Sequence, residues 1–234
     1  MRRANVAVGA ALLILVVAAC LPAPATTEAR ETASLYTFFL AVAAVVAAIV
    51  VGLTTWSIVR YRAGRNEELP TQTHGNTHLE ILWTAVPAVT IVALFGFTLV
   101  ALARVDSVEP VESGRGAEID VTAFRWGWTF TYPVEGITVS GFRSPGPEVR
   151  VPVGEPITVR LNSADVVHSF YVPRFLFKRD VVPGRENVFQ FTVEEAGSFG
   201  GQCAEFCGLY HSGMPFTITA VPRADYEDWL ATQR

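Results

Sequence analysis

Two stretches of the chain carry no charged residue over a length that spans a bilayer: Ser34–Val59 and Ile81–Ala103. Crossing the hydrocarbon core takes roughly 20 apolar residues in a helix. With no water there to satisfy the backbone, a helix is the form such a segment takes. Both stretches are therefore predicted as transmembrane helices. Arg60, Arg62 and Arg65 follow the first at once, which puts that end in the cytoplasm. The loop 60–80 is then cytoplasmic, and the second helix runs back outward. Pro87 within it is tolerated in a membrane helix. Trp56, Tyr61 and Trp83 sit near the ends as interfacial anchors. Everything after Arg104 lies outside the cytoplasm.

The N-terminus reads as an export signal. Arg2 and Arg3 precede an apolar run from Val6 to Ala19. The run ends in Val17-Ala18-Ala19-Cys20, the pattern of a bacterial lipoprotein signal, so residues 1–20 are expected to be a signal peptide and Cys20 the lipidated first residue. Pro22, Pro24 and Thr26 to Arg30 read as a polar linker. The apolar first half accounts for a mean hydropathy of +0.34. A net charge of −4 argues against nucleic acid as a partner.

The second half changes character. Short β-branched and aromatic runs alternate with Gly/Pro turns. Strands are predicted at Ile119–Phe124, Ile137–Val139, Glu148–Val151, Ile157–Asn162, Ser169–Val172, Asn187–Val193, Gly197–Gly200 and Phe216–Val221. Such spacing over 118–222 implies a β-sandwich or barrel outside the membrane. A short helix, 223–234, closes the chain, with Ala224 and Trp229 as packing points.

Within that half, one loop concentrates soft ligands: Cys203, Cys207, His211 and Met214, each a few residues after the last. Thiolates, imidazole and thioether together select copper, since zinc sites take Cys, His and carboxylates but not Met. Two Cys on one turn suggest two coppers bridged by two thiolates. A second His is needed. Of four His, His74 and His78 fall in the cytoplasmic loop, which leaves His168 in the same compartment as His211. The Glu205 carbonyl, between the two Cys, can face the metals as a weak ligand.

At this point the chain resembles subunit II of a haem–copper cytochrome c oxidase, over about Ser34 to Ala220. Leu79-Glu80-Ile81-Leu82-Trp83-Thr84-Ala85-Val86-Pro87 is similar to the start of that family's second helix. Arg125-Trp126-Gly127-Trp128-Thr129-Phe130 resembles its aromatic segment. Asp165 to Val172 and Lys178-Arg179-Asp180-Val181-Val182-Pro183-Gly184-Arg185 resemble its first-histidine region, and the Cys loop through Pro215 its copper A loop. The resemblance implies a two-helix transmembrane hairpin followed by an all-β cupredoxin domain, a Greek-key β-sandwich. It implies copper ligands His168, Cys203, Glu205 through its carbonyl, Cys207, His211 and Met214. It further implies Mg²⁺ or Mn²⁺ on the Glu205 carboxylate at the interface with the catalytic subunit, electron entry at Trp126, and a proton pathway mouth at Glu80. The implied partners are subunit I with its haems and copper B, subunit III, the lipid bilayer of a bacterial plasma membrane, and a cytochrome donor. The implied reaction is reduction of O₂ to water with proton pumping, electrons entering at the dinuclear copper.

Arg125, Phe175-Leu176-Phe177, Tyr210 and Gly213 depart from the common pattern. Such variants resemble actinobacterial-type oxidases, where the donor is a membrane-bound dihaem cytochrome c instead of a soluble cytochrome c. Glu135, Glu148, Glu155 and Asp165 are candidates for steering a basic cytochrome. The alternative function is the copper A subunit of a nitric oxide reductase. A quinol oxidase subunit lacks these ligands. A copper-transfer module would not need Trp126 or Glu80, and a Cys203–Cys207 disulfide is a state of the apoprotein.

Overall fold

The computed structural model describes residues 21–62, 72, 74–110 and 115–233. The expected signal peptide with Cys20, and Arg65, lie outside them. The described chain forms two compact units, one of residues 34–102 and one joining the N-terminal residues through Ala33 to Ala103–Arg234.

The first unit contains most of two long helices, α1 (Thr27–Arg60) and α2 (Thr77–Val105). Both are long and apolar enough to cross a membrane. No residue of α2 is buried, and its exposed side chains include Ile81, Trp83, Val89, Ile91, Val92 and Phe95. An apolar surface on every side of a helix suits lipid or neighbouring helices and not water. Phe38 of α1 meets Phe97 of α2, ring centroids 5.0 Å apart. Asn76 caps α2: its Oδ1 accepts from the amides of His78 and Leu79 at 3.1 and 3.2 Å. Glu80 falls in the first helical turn, where the helix dipole favours a carboxylate.

The second unit is a sandwich of two five-stranded sheets, ordered β3-β2-β1-β5-β8 and β4-β10-β9-β6-β7. The strands are β1 (Ala117–Phe124), β2 (Gly127–Tyr132), β3 (Ile137–Phe142), β4 (Glu148–Pro152) and β5 (Pro156–Ser163). The others are β6 (His168–Val172), β7 (Phe177–Val181), β8 (Asn187–Thr192), β9 (Gly197–Cys203) and β10 (Pro215–Val221). Burial alternates along β1 and β10, one side chain inward and the next outward, as the pleat requires. Trp128, Phe130, Phe170, Phe189 and Phe216 fill the space between sheets, with Phe170 and Phe216 stacked at 4.7 Å. Helix α3 (Arg223–Thr232) follows β10 and packs through Tyr226 and Leu230.

Two strands were not among those predicted, β2 and β7. The segment read as a linker is also structured. Thr26 pairs with Val193, just past β8, and Ala25, Thr26 and Ala29 are buried. The Ala25 amide donates to the Arg174 carbonyl at 3.0 Å, and the Ala25 carbonyl accepts from Glu194 at 3.1 Å. This strap extends the outer edge of β8, which would otherwise present unpaired backbone groups. It lies at one end of the sandwich. The first-histidine strand β6 begins at the other.

Candidate metal centre

Five loops meet at that other end: β1–β2, β3–β4, β5–β6, β7–β8 and the long connection from Cys203 to Pro215. The ligand residues come from two of these places. His168 opens β6 and is fully buried. Cys203 closes β9, and Cys207, His211 and Met214 follow in the loop, with His211 starting a 3-10 turn. Backbone bonds fix this loop to the rigid sheet. Cys203 donates to the Met214 carbonyl at 3.2 Å, and Ala204 to the Ser169 carbonyl at 3.0 Å.

The donor atoms converge. The two sulfurs lie 3.8 Å apart. His168 Nδ1 is 3.8 Å from Cys203 Sγ, and His211 Nδ1 is 3.6 Å from Cys207 Sγ. Met214 Sδ lies 4.0 Å from Cys207 Sγ, and the Glu205 carbonyl 3.3 Å from Cys203 Sγ. One ligand atom each from His168, Cys203 and Cys207 falls within 4.8 Å of the other two. Both cysteines are free and buried. The set of two thiols, two imidazoles, a thioether and a carbonyl, all facing one small volume, fits a copper pair bridged by sulfur and fits no hard cation.

The electrostatics set the two thiols apart. Burial pushes the Cys203 thiol up, but hydrogen bonds from His168 and the neighbouring backbone outweigh it, and the net shift is downward. Cys207 moves the other way, raised by burial and then by the charge on Cys203. The opposite directions mean that a charge on one sulfur disfavours a charge on the other, and a bound cation would relieve that conflict. His168 Nε2 donates to Asp165 Oδ1 at 2.9 Å. This bond assigns the tautomer and aims Nδ1 at the sulfurs. Burial alone would raise Asp165; bonds from His168, the Val166 and Arg125 amides and the Arg125 side chain overcome it and hold the carboxyl at about 2.

Two indoles frame the loop. Trp128 is fully buried; its Nε1 donates to the Met214 carbonyl at 3.1 Å, and its ring lies 6.4 Å from that of His168. Trp126 is half-buried and its Nε1 donates to the Cys207 carbonyl at 3.3 Å. Gly208 makes room for it: φ is +116, and a Cβ there would touch the indole at 3.4 Å. A side chain at Gly208 would be strained in backbone, while its Cβ would make ordinary contact with Trp126.

The sequence-predicted residues sort clearly. His168, Cys203, Glu205, Cys207, His211 and Met214 come together, and Trp126 touches their loop. Glu80 belongs to the helical unit. The Glu205 carboxylate points outward to Lys178 Nζ at 3.3 Å. The four acids expected to steer a basic donor do not form a ring around the site. Asp165 orients His168 and pairs with Arg125 at 3.2 Å. Glu135 and Glu155 lie at the opposite end, Glu155 bound to Arg223 at 3.0 Å. Glu148 accepts from the Thr219 hydroxyl at 2.9 Å. Two positioning residues went unassigned in the sequence, Asp165 as the partner of His168 and Trp128 as the donor to Met214. The signal for the first was an acid three residues before the histidine.

Comparison with known proteins follows the same outline. Residues 14–99 match the family model of the cytochrome c oxidase subunit II transmembrane domain, and residues 146–221 that of its periplasmic domain. A probable cytochrome c oxidase subunit 2 of Nocardia farcinica is 32% identical over 309 residues, covering 100% of this chain and 82% of that protein. One from Streptomyces avermitilis is 33% identical over 250 residues, covering 90% and 77%. The crystal structure of the periplasmic domain of subunit II of cytochrome oxidase from Bradyrhizobium japonicum matches with a TM-score of 0.50 at 32% identity, covering 54% of this chain and 96% of that one.

Proposed function

The chain belongs to the cytochrome c oxidase subunit II family, and from that premise we propose that His168, Cys203, Cys207, His211 and Met214, with the Glu205 carbonyl, hold a dinuclear copper A centre. The protein is subunit II of a haem–copper terminal oxidase, a membrane protein with two spanning helices and a periplasmic cupredoxin domain. The observation that carries the ligand reading is the convergence of both sulfurs and both imidazoles, with the sulfurs 3.8 Å apart.

When bound, such a centre shares one electron over two coppers and two thiolates, so redox change demands little rearrangement. The protein's part is to keep the ligands still and dry. Asp165 fixes the His168 ring, Trp128 and the Cys203 amide fix Met214 through its carbonyl, and burial of Cys203, Cys207 and Met214 excludes water. Trp126 is the entry residue in this reading. Its hydrogen bond to the Cys207 carbonyl links the half-buried indole to a ligand residue through one contact. In this reading the electron would next reach the haem of the catalytic subunit, where O₂ would be reduced with proton pumping. The nitric oxide reductase alternative has no observation in its favour.

Three further roles belong to the same reading. Glu80, in the exposed first turn of α2, lines a shallow groove of about 390 Å³ with Thr77, Ile81 and Thr84 and serves as the cytoplasmic proton entrance. The Glu205 carboxylate supplies one oxygen to Mg²⁺ or Mn²⁺. Such an ion would complete its oxygen shell with waters and groups of the catalytic subunit, and Lys178 would have to yield its ion pair with Glu205. Residues 1–20 are a lipoprotein signal, with Cys20 acylated. The partners are subunits I and III and a cytochrome c donor, soluble or membrane-bound.

The test is the intact oxidase purified from membranes. Two coppers in this subunit and an EPR hyperfine pattern from two equivalent copper nuclei are expected. A pattern from a single copper nucleus sinks the dinuclear assignment.

A further inference from the structure

A small cavity lies beside the strap, at the end of the sandwich away from the copper ligands. Its volume is about 280 Å³, and its lining includes Ala25, Arg30, Arg174, Glu194, Glu195 and Phe199. Ligand pockets span roughly 300–1,000 Å³, so this one has room for a small polar group only.

Four charges line the cavity, and they are not equally engaged. Arg30 is paired with Glu194, and Glu194 also accepts from the Thr27 hydroxyl at 3.4 Å. Arg174 is held in place without being neutralised. Its Nε donates to the Ala23 carbonyl at 3.1 Å, and its guanidinium lies 5.2 Å from the centre of the Phe199 ring. Among the described residues Arg174 has no carboxylate partner and Glu195 has no cation partner. One cavity thus offers a positioned guanidinium and a separate carboxylate that do not satisfy each other. An anion alone would suit Arg174 and be repelled by Glu195. A ligand with both charges suits the two together.

The chain also gives the depth of this cavity. Arg30 and Ser34, where the charge-free run begins, lie four residues apart on α1. At 1.5 Å of rise per residue that is about 6 Å. The headgroup layer on each side of a bilayer is about 5–7 Å deep, so Arg30 stands at the level of the outer headgroups.

We propose that the cavity binds the headgroup of an outer-leaflet phospholipid that carries a primary amine, of the phosphatidylethanolamine class. The phosphate sits on the terminal nitrogens of Arg174, whose planar fork matches phosphate oxygens. The ammonium donates to Glu195. A choline headgroup has no N–H to give that carboxylate, and phosphatidylglycerol brings no cation to it and sets a like charge beside it. The bound lipid ties the strap, the β8–β9 connection and the turn before β7 to the bilayer surface.

The test uses the intact oxidase in nanodiscs of phosphatidylethanolamine, phosphatidylcholine or phosphatidylglycerol, with the retained lipids counted by native mass spectrometry. The wild type is expected to keep one phosphatidylethanolamine more than Arg174→Gln or Glu195→Gln. Each variant should weaken the site by more than about tenfold, the worth of one hydrogen bond to a charged group. Because Arg174 also holds Ala23, Glu195→Gln is the cleaner variant: it removes no hydrogen bond or ion pair among the described residues. In an equal mixture the wild type should favour phosphatidylethanolamine over phosphatidylglycerol, and Glu195→Gln should shrink that preference. Equal phosphatidylethanolamine retention by the wild type and Glu195→Gln overturns the inference, as does equal binding of phosphatidylglycerol by the wild type. Displacement of the lipid by excess inorganic phosphate overturns the bilayer as the source of the ligand. The copper EPR should be unchanged in both variants, so either result leaves the ligand assignment standing.

Discussion

The two ends of the sandwich are held by different physics. At the copper end the loops are ordered by directed bonds to single atoms: Asp165 to His168, Trp128 to the Met214 carbonyl, Trp126 to the Cys207 carbonyl. Its centre brings together groups that repel once ionised. At the opposite end the fold is closed by bulk apolar contact. Tyr132 packs on Trp229 at 5.4 Å and on Tyr226 at 6.5 Å, and Ala25 and Ala29 of the strap are buried beside β8. The same two sheets thus present the proposed copper ligands at one end and a closing aromatic cluster at the other. Changes at the first should alter copper with little loss of fold, and changes at the second should do the reverse.

The sharpest break of that contrast is Cys207→Ser. Loss of one bridging thiolate should abolish the dinuclear EPR signal and O₂ reduction, while the far-ultraviolet circular dichroism of the sandwich is kept. A variant that retained the signal would remove Cys207 from the ligand set.

Next in size is the opposite case, Tyr132→Ala. The ring is fully buried and its hydroxyl donates to the Arg150 carbonyl at 2.7 Å. Losing a buried aromatic of this size costs about 3–5 kcal/mol. Denaturant unfolding should show that loss, while copper in the folded fraction keeps its spectrum. A changed spectrum in the folded protein would mean the two ends are coupled.

Asp165→Asn probes the copper end more gently. Outer partners of metal-bound histidines are worth about 10–100-fold in metal affinity. Copper should therefore be lost to a competing chelator at that much lower chelator strength, with thermal unfolding of the copper-free protein moved far less than by Tyr132→Ala. Unchanged copper retention would mean that packing alone orients His168.

How much of this was legible depends on what each residue advertises. The spans were readable because a charge-free run of that length has few other uses. The proposed ligand set was readable because Cys, His and Met seldom gather in one loop without a metal. Strand β7 was not, since Lys178, Arg179 and Asp180 give it the look of a loop; it is an edge strand, so its charged side chains reach solvent. Strand β2 was seen only as an aromatic motif, because Trp128, Phe130 and Tyr132 alternate inward between threonines. The role of Asp165 was hidden because an acid beside a strand reads the same whether it faces water or His168. The strap was hidden for a related reason: a polar composition conceals that Ala25, Thr26 and Ala29 turn inward.

That strap gives the smallest and cleanest test. Thr26 is fully buried, and its Oγ1 accepts from the Ala29 amide at 3.0 Å, capping the first turn of α1. Replacing such a cap by alanine costs about 1 kcal/mol, because the Ala29 amide is left in a buried place without an acceptor. Thr26→Ala should lower the unfolding midpoint slightly and speed hydrogen exchange at Glu194, whose amide bonds to the Ala25 carbonyl. Thr26→Ser keeps the oxygen and should restore both. The copper EPR should be identical in all three proteins, since the strap and the ligands sit at opposite ends. A shift in that signal on Thr26→Ala would show that the strap transmits to the metal loop, and the division of the sandwich into a functional and a stabilising end would fail.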